Sequence, residues 1–239
     1  KSGLIPILWP ISVICALILP ADFSTAAILF LVCFTMLFVG GAKIKHLSSV
    51  VGSGIILLLL LILVNSMIPG ILPRVDTWKN RIISFESGAK KQNYQAEMAK
   101  RAVANGFLFG RGPGKGNVKD DLYSAQSDFI YASSIEEFGS IIGGLGIVVL
   151  YLILFFRSIR IMNKTESKFG SYLVFGLSFM LVFQSLINMG VGVNLFPVTG
   201  QPLPLISMGG TSILFTCISL GIILNISRTV YDANRKKTI

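Results

Sequence analysis

The chain alternates long apolar runs with short polar breaks, and the runs are too continuous to be one-sided surface helices. A helix that crosses a bilayer needs about 20 mostly apolar residues, because the hydrocarbon is about 30 Å thick and each backbone amide must find its partner within the helix. Runs of this kind cover 4–19, 22–39, 50–68, 133–156, 169–188 and 211–226, the first being short and interrupted by Pro6 and Pro10. The pattern predicts an all-α polytopic membrane protein with about six transmembrane helices in a single membrane domain over 1–239. Two stretches break the rhythm. The long polar one, 70–127, is expected to be an extracytoplasmic loop, and the apolar but irregular one, 188–211, a re-entrant external loop.

Composition sharpens the class. Of 239 residues, 53% are hydrophobic and 13% charged, against about a quarter charged in soluble domains. The formal charge of +10 would suggest nucleic acid if spread over a soluble surface, but its placement argues otherwise. Lys1, Lys43, Lys45, Arg157, Arg160, Lys164, Lys168, Arg228, Arg235, Lys236 and Lys237 fall at one side of the predicted spans, and that side is expected to be cytoplasmic. The other ten of the 21 basic residues lie in 70–127, which helix parity places outside; so long a segment obeys the charge rule weakly. Cys15, Cys33 and Cys217 sit in apolar runs with no CxxC spacing, and are expected to be buried thiols. The first run begins almost at Lys1 with no charged leader and no small-residue cleavage site. It does not read as a signal peptide, and the chain is expected to be the later part of a longer membrane protein.

The external segment is organised. Tyr94, Met98, Ala102, Val103 and Phe107 recur at helical spacing, while Glu97, Lys100, Arg101 and Asn105 take the other face. Such an amphipathic helix either lies flat on the membrane with its basic face toward headgroups or packs on its own protein. It leads into Gly110-Arg111-Gly112-Pro113-Gly114-Lys115-Gly116. Neither a Walker loop nor a dinucleotide fingerprint fits this spacing. What remains is a glycine-rich turn whose amides and cations suit an anion, or a bland flexible connection.

Three carboxylates follow, Asp128, Glu136 and Glu137, at the start of an apolar helix. Eight residues carry Glu136 about 80° around and about 12 Å along from Asp128, so the two cannot share a proton. Asp128 is either a functional acid or an N-cap, and Glu136 and Glu137 are expected to be structural partners for polar groups. Within 188–211, Pro197, Pro202, Pro204 and the glycines at 190, 192, 200, 209 and 210 exclude a continuous helix. Irregular backbone at membrane depth survives only where protein or a water-filled cavity covers it. Asn188, Asn194, Thr199, Gln201, Ser207, Thr211 and Ser212 would supply uncharged hydrogen bonds there.

The run from Asn194 to Ser212, with Pro197-Val198-Thr199-Gly200-Gln201-Pro202-Leu203-Pro204 and Ser207-Met208-Gly209-Gly210 at its heart, closely resembles the hallmark of the SEDS proteins (shape, elongation, division and sporulation). Pro20-Ala21-Asp22-Phe23-Ser24-Thr25-Ala26 resembles the family's proline-aspartate element, 110–116 its glycine-rich loop, and Ser127-Asp128-Phe129-Ile130 with Glu136-Glu137-x-Gly139 its aspartate segment. Gln126 stands where a histidine is common, and Gln201, Leu205 and Met208 vary the hallmark. The family's amino-terminal four or so helices lie outside this chain.

The resemblance implies a peptidoglycan glycosyltransferase that polymerises lipid II at the outer face of the bacterial cytoplasmic (inner) membrane, in the cell-division branch at the septum rather than the elongation branch. It implies Asp128 as catalytic base in an inverting transfer. Arg111, Gly112, Gly114 and Lys115 would meet the undecaprenyl diphosphate. Gln126, Ser127, Asn188, Pro197, Thr199, Gly200, Gln201, Pro202, Pro204, Ser207, Gly209, Gly210 and Ser212 would complete the substrate site. Asp22 is expected to bind a cation or, by preference, to serve structure. A divalent cation such as Mg or Mn is a candidate helper, with no ligand set assigned. Expected partners are a class B penicillin-binding protein transpeptidase and other divisome membrane proteins, with no nucleic acid. The competing readings are a lipid II flippase and a non-catalytic divisome scaffold.

Overall fold

The structure, a computed structural model, describes residues 5–67, 77–78, 81, 83, 94–118 and 126–237. Among the described residues every regular element is a helix. The chain divides into two units, 1–87 and 88–239.

In the first unit, α1 (Ile5–Ile18), α2 (Phe23–Val39) and α3 (Ile44–Met67) pack in sequence order. The first two are apolar but hold 14 and 17 residues, about 21 and 25 Å of rise, less than a full hydrocarbon thickness. Asp22 starts α2. Its Oδ1 accepts from the amides of Ser24 and Thr25 at 3.0 and 3.2 Å, and its Oδ2 from Thr25 Oγ1 at 2.6 Å, so one side chain satisfies two orphan amides of the first turn. Cys15 is buried here and Cys33 half-buried. Cys217, in the second unit, is exposed, which corrects the expectation of three buried thiols: it lies on a helix face that nothing in its own unit covers.

The second unit holds α4 (Tyr94–Gly106), α5 (Ile130–Gly139), a π-helical segment Ser140–Gly146, α6 (Ile147–Lys164), α7 (Lys168–Gly192) and α8 (Gly210–Lys237). Its crossing helices are long: α7 has 25 residues, about 37 Å. The amphipathic helix is present as α4, and its small face is taken by protein. Met98, Ala99 and Ala102 join Val118, Phe129, Ala132 and Val191 in one core cluster. Glu97 and Arg101 pair at 2.9 Å on the exposed side. Packing on the protein therefore replaces the expectation that this helix spends its apolar face on lipid, because alanines let α4 approach α5 and α7 closely.

The span expected over 133–156 is broken. Apolar character continues through Ile130–Lys164, but Gly139, at φ +79° and ψ 168°, turns the chain. A Cβ on Gly143 would lie 2.1 Å from the Ser134 carbonyl oxygen, and Tyr131 Oη donates to the Gly144 carbonyl at 3.2 Å. In an unbroken helix Tyr131 and Gly144 would stand about 20 Å apart. α5 therefore folds back on the helix that follows, and the segment straight enough to cross begins at Ser140.

The re-entrant element is shorter than expected. Asn188–Gly192 remains in α7, and the irregular stretch is 193–209. Asn194 takes φ +60°, and the Asn194 and Leu195 amides return to the Val191 and Gly190 carbonyls at 2.9 and 2.7 Å, which satisfies the last turn of α7.

Candidate active site

Asp128 lies in the turn Gln126–Phe129, ahead of α5. The N-cap of α5 is Phe129, whose side chain makes no capping bond, so Asp128 stands one residue outside the helix it was expected to begin. Three consecutive carbonyls fix that turn. Gln126 O accepts from the Met208 amide at 2.9 Å, Ser127 O from Ser207 Oγ at 2.6 Å, and Asp128 O from Asn188 Nδ2 at 2.9 Å. The donors come from the 193–209 element and from α7, which ties the turn to both. The half-buried Asp128 is thereby held with its carboxylate against the element: Oδ2 lies 3.9 Å from where a Cβ on Gly200 would sit.

The same residues hold the element to itself. Asn188, 1% exposed, gives its second amide proton to Gln201 O at 2.7 Å, while its Oδ1 is buried and has no hydrogen-bond partner among the described residues. Ser207 Oγ also accepts from the Leu203 amide at 2.7 Å. Pro202 O accepts from Gln184 Nε2 at 3.1 Å, and Pro204 O accepts from Tyr151 Oη. Prolines donate nothing, so their carbonyls are what neighbouring helices can grip. Leu203 and Pro204 are consequently buried, whereas Gly200 and Gly210 are open and Pro197, Thr199, Gly209 and Ser212 half-buried. Ser212 O is used inside α8 by Thr216 Oγ1 at 2.7 Å.

The glycine-rich loop is built differently. Two helix ends meet at Gly139, the C-terminus of α5 and the N-terminus of the π-helical segment, and each leaves orphan backbone groups. The loop caps both. Arg111 and Gly112 amides donate to the Glu136 and Glu137 carbonyls, each at 2.9 Å, and the Ser140 and Ile141 amides donate to the Phe107 and Leu108 carbonyls at 2.9 and 3.4 Å. The approach leaves no room for side chains: a Cβ on Gly106 would lie 2.0 Å from Ile135 O, on Gly110 2.3 Å from Glu137 O, and on Gly139 2.3 Å from Leu108 O. Glu136, fully buried, finishes the clamp. Its carboxylate accepts from Asn105 Nδ2 at 3.2 Å, from the Asn117 amide at 3.2 Å and from the Val118 amide at 3.3 Å.

The amides expected to form an anion nest are therefore engaged within the protein at Arg111, Gly112 and Lys115, the last donating to Gly112 O at 3.1 Å. What the loop presents is the side chains of Arg111 and Lys115, both exposed. They stand where the loop meets Glu136 and Glu137, at the far end of α5 from the turn that carries Asp128. Glu136 acts as the structural partner it was expected to be, and Glu137 contributes its carbonyl. Asp22 belongs to the first unit and caps α2. Among the described residues, no group of three or more His, Cys, Asp or Glu converges, and the carbonyls around Asp128 are engaged by protein donors.

Tyr151, Gln184 and Asn117 escaped the sequence reading, and Asn105 figures there only as part of the polar face of its helix. Tyr151 and Gln184 act on backbone carbonyls remote in sequence, and Asn105 and Asn117 on the remote Glu136 carboxylate, which periodicity does not reveal.

Similarity to known proteins decides the family. The sequence pattern of the FtsW/RodA/SpoVE family, described as "Cell cycle protein", matches residues 1–232. The chain belongs to this family. It is 34% identical over 216 residues to Stage V sporulation protein E of Bacillus subtilis (strain 168), covering 87% of the chain and 55% of that relative. It is 35% identical over 245 residues to the "Probable peptidoglycan glycosyltransferase FtsW" of the same organism, covering 99% and 60%, and 32% identical over 239 residues to the protein of that name in Aliivibrio salmonicida (strain LFI1238), covering 96% and 57%. A solved structure described as "Structural coordination of polymerization and crosslinking by a peptidoglycan synthase complex" superposes with a TM-score of 0.61 at 26% identity, covering 90% of this chain and 58% of that one. The chain thus spans little more than half the length of these family members. The SEDS resemblance and the polytopic all-helical fold are both borne out.

Proposed function

We propose that the protein of which this chain is part is a peptidoglycan glycosyltransferase that polymerises lipid II at the outer face of the bacterial inner membrane, in septal wall synthesis. The acceptor sugar's 4-hydroxyl attacks the anomeric carbon of the donor. Asp128 takes the hydroxyl proton as the new glycosidic bond forms, and the bond to the undecaprenyl diphosphate breaks with its electron pair leaving on the diphosphate. Attack opposite the leaving group inverts the anomeric centre. Arg111 and Lys115 meet the departing diphosphate with charge of the opposite sign. A class B penicillin-binding protein crosslinks the product, and other divisome membrane proteins recruit the pair.

One observation carries this reading: Asp128 is excluded from the helix cap, and its turn is pinned through three carbonyls so that the carboxylate sits against the Pro/Gly element. The names of the FtsW relatives support the reaction class. The side carrying Asp128 is opposite the basic ends of α6 and α8, which supports an outward-facing site. The test is polymerisation of lipid II by the full-length protein with its partner. Asp128→Asn is expected to lower the rate by about 10² to 10⁴ while the melting temperature holds. Full activity of that variant removes Asp128 as the base, and movement of labelled lipid II across vesicles without polymer replaces the enzyme with a transporter.

A further inference from the structure

We infer that Phe107, Leu108 and Phe109 form an interfacial anchor that inserts the tip of the glycine-rich loop into the outer edge of the lipid bilayer. This inference rests on the membrane-spanning fold and not on the proposed reaction. The three side chains are consecutive and lie 75, 47 and 81% exposed, in a segment otherwise closely fitted to its neighbours. Phe107 takes φ +44°, a backbone that costs a bulky residue energy and persists only where the surroundings impose it. Water gives no reason to display three apolar side chains in a row, whereas lipid does.

Height along the crossing segment identifies the lipid. The Phe107 and Leu108 carbonyls receive the Ser140 and Ile141 amides, so the tip sits level with the start of that segment. The last apolar residue before Arg157 is Phe156, and from there back to Ser140 is at most about 24 Å at 1.5 Å per residue, since the π-helical Ser140–Gly146 rises less. In a hydrocarbon about 30 Å thick, with Arg157 at its inner edge, the tip falls close to the opposite edge. The surface beside it is continuous with the lipid-facing side of the span: Phe138, Ile141, Ile142 and Leu145 are also exposed. Arg111, held at the Glu136 carbonyl, and Lys115 follow within a few residues, so aromatic rings lie next to cations as at a membrane interface. The membrane contact expected of α4 thus belongs to the loop that follows it, and the anchor holds the loop's cations at headgroup level.

The experiment places a spin label at position 109 (Phe109→Cys) in the full-length protein after Cys15, Cys33 and Cys217 and any other native cysteines have been replaced by serine, in nanodiscs of phosphatidylethanolamine and phosphatidylglycerol. Leu150→Cys serves as the lipid-facing reference and Arg101→Cys as the aqueous one. Relaxation by oxygen relative to relaxation by a water-soluble nickel chelate is expected to exceed Arg101→Cys several-fold and to stay below Leu150→Cys, which lies deeper in the hydrocarbon. A ratio like that of Arg101→Cys, or protection from both reagents, overturns the inference. Should the cysteine-free protein fail to fold, p-benzoyl-phenylalanine in place of Phe109 in the native background gives the second measurement: adducts to lipid support the anchor, and adducts only to protein, or none, overturn it.

Discussion

The turn that carries Asp128 and the loop that carries Arg111 and Lys115 solve one problem by opposite means. Both are irregular backbone beside apolar helices, where each unpaired amide or carbonyl is costly. The turn is held by side chains reaching in, Asn188 and Ser207, helped by one amide from Met208. The loop is held mostly by the absence of side chains, with Gly106, Gly110 and Gly139 letting backbone meet backbone. The difference teaches that substitution should act on the two regions in different ways. At Gly106, Gly110 and Gly139 there is no rotamer to adjust, so an added Cβ there displaces the chain. The turn loses one hydrogen bond at a time.

Gly139→Ala tests this most severely. A Cβ would meet the Leu108 carbonyl at 2.3 Å in a left-handed backbone, and strain plus displacement together come to about 3 kcal/mol or more. A large fall in melting temperature in detergent is expected; an unchanged one would mean that the loop yields as easily as the turn. Ser207→Ala comes next. It leaves the Leu203 amide and the Ser127 carbonyl without the Ser207 hydroxyl, at a cost of about 1–3 kcal/mol, and glycan polymerisation is expected to fall further than thermal stability does, because Asp128 is displaced. Equal losses in both assays would reduce Ser207 to a structural role.

Asp22→Ala sharpens the contrast between a capping aspartate and one excluded from its helix cap. Removing the α2 cap should cost about 1 kcal/mol, read as a melting shift, whereas Asp128→Asn should leave melting unchanged. Smallest in stability is the double variant Arg111→Ala with Lys115→Ala, both exposed, expected to melt within about 0.5 kcal/mol of the parent. Its effect should appear as a higher lipid II concentration for half-maximal rate, and an unchanged concentration dependence would remove these cations from the site.

Much of this architecture is legible in the sequence because it depends on composition over a window. The six apolar helices follow from runs of Leu, Ile, Val and Phe, and the irregular 193–209 element from Pro197, Pro202 and Pro204, which cannot sit inside a helix. The break at Gly139 was not legible. Apolar residues continue on both sides of it, and an isolated glycine is tolerated in many helices, so neither Gly139 nor Gly143, Gly144 and Gly146 after it announce a turn. What makes it a break is a set of partners at 107–112, and hydrophobic periodicity reports faces, not remote hydrogen bonds. The fate of α4 was undecided for a related reason: Ala96, Ala99 and Ala102 carry little hydrophobic signal, yet their small size is what admits α5.

The double cap at Gly139 also bears on how the protein is made. Its bonds join Phe107 to Ser140 and Arg111 to Glu136, so the loop leaves the ribosome before the apolar run it will divide. When Ile130–Lys164 reaches the membrane, the groups that satisfy its broken middle are already synthesised. A stretch that composition would thread across the bilayer as one rod can therefore part at Gly139, leaving the segment with Asp128 outside the crossing helix. Chain order thus supplies the instruction that composition lacks.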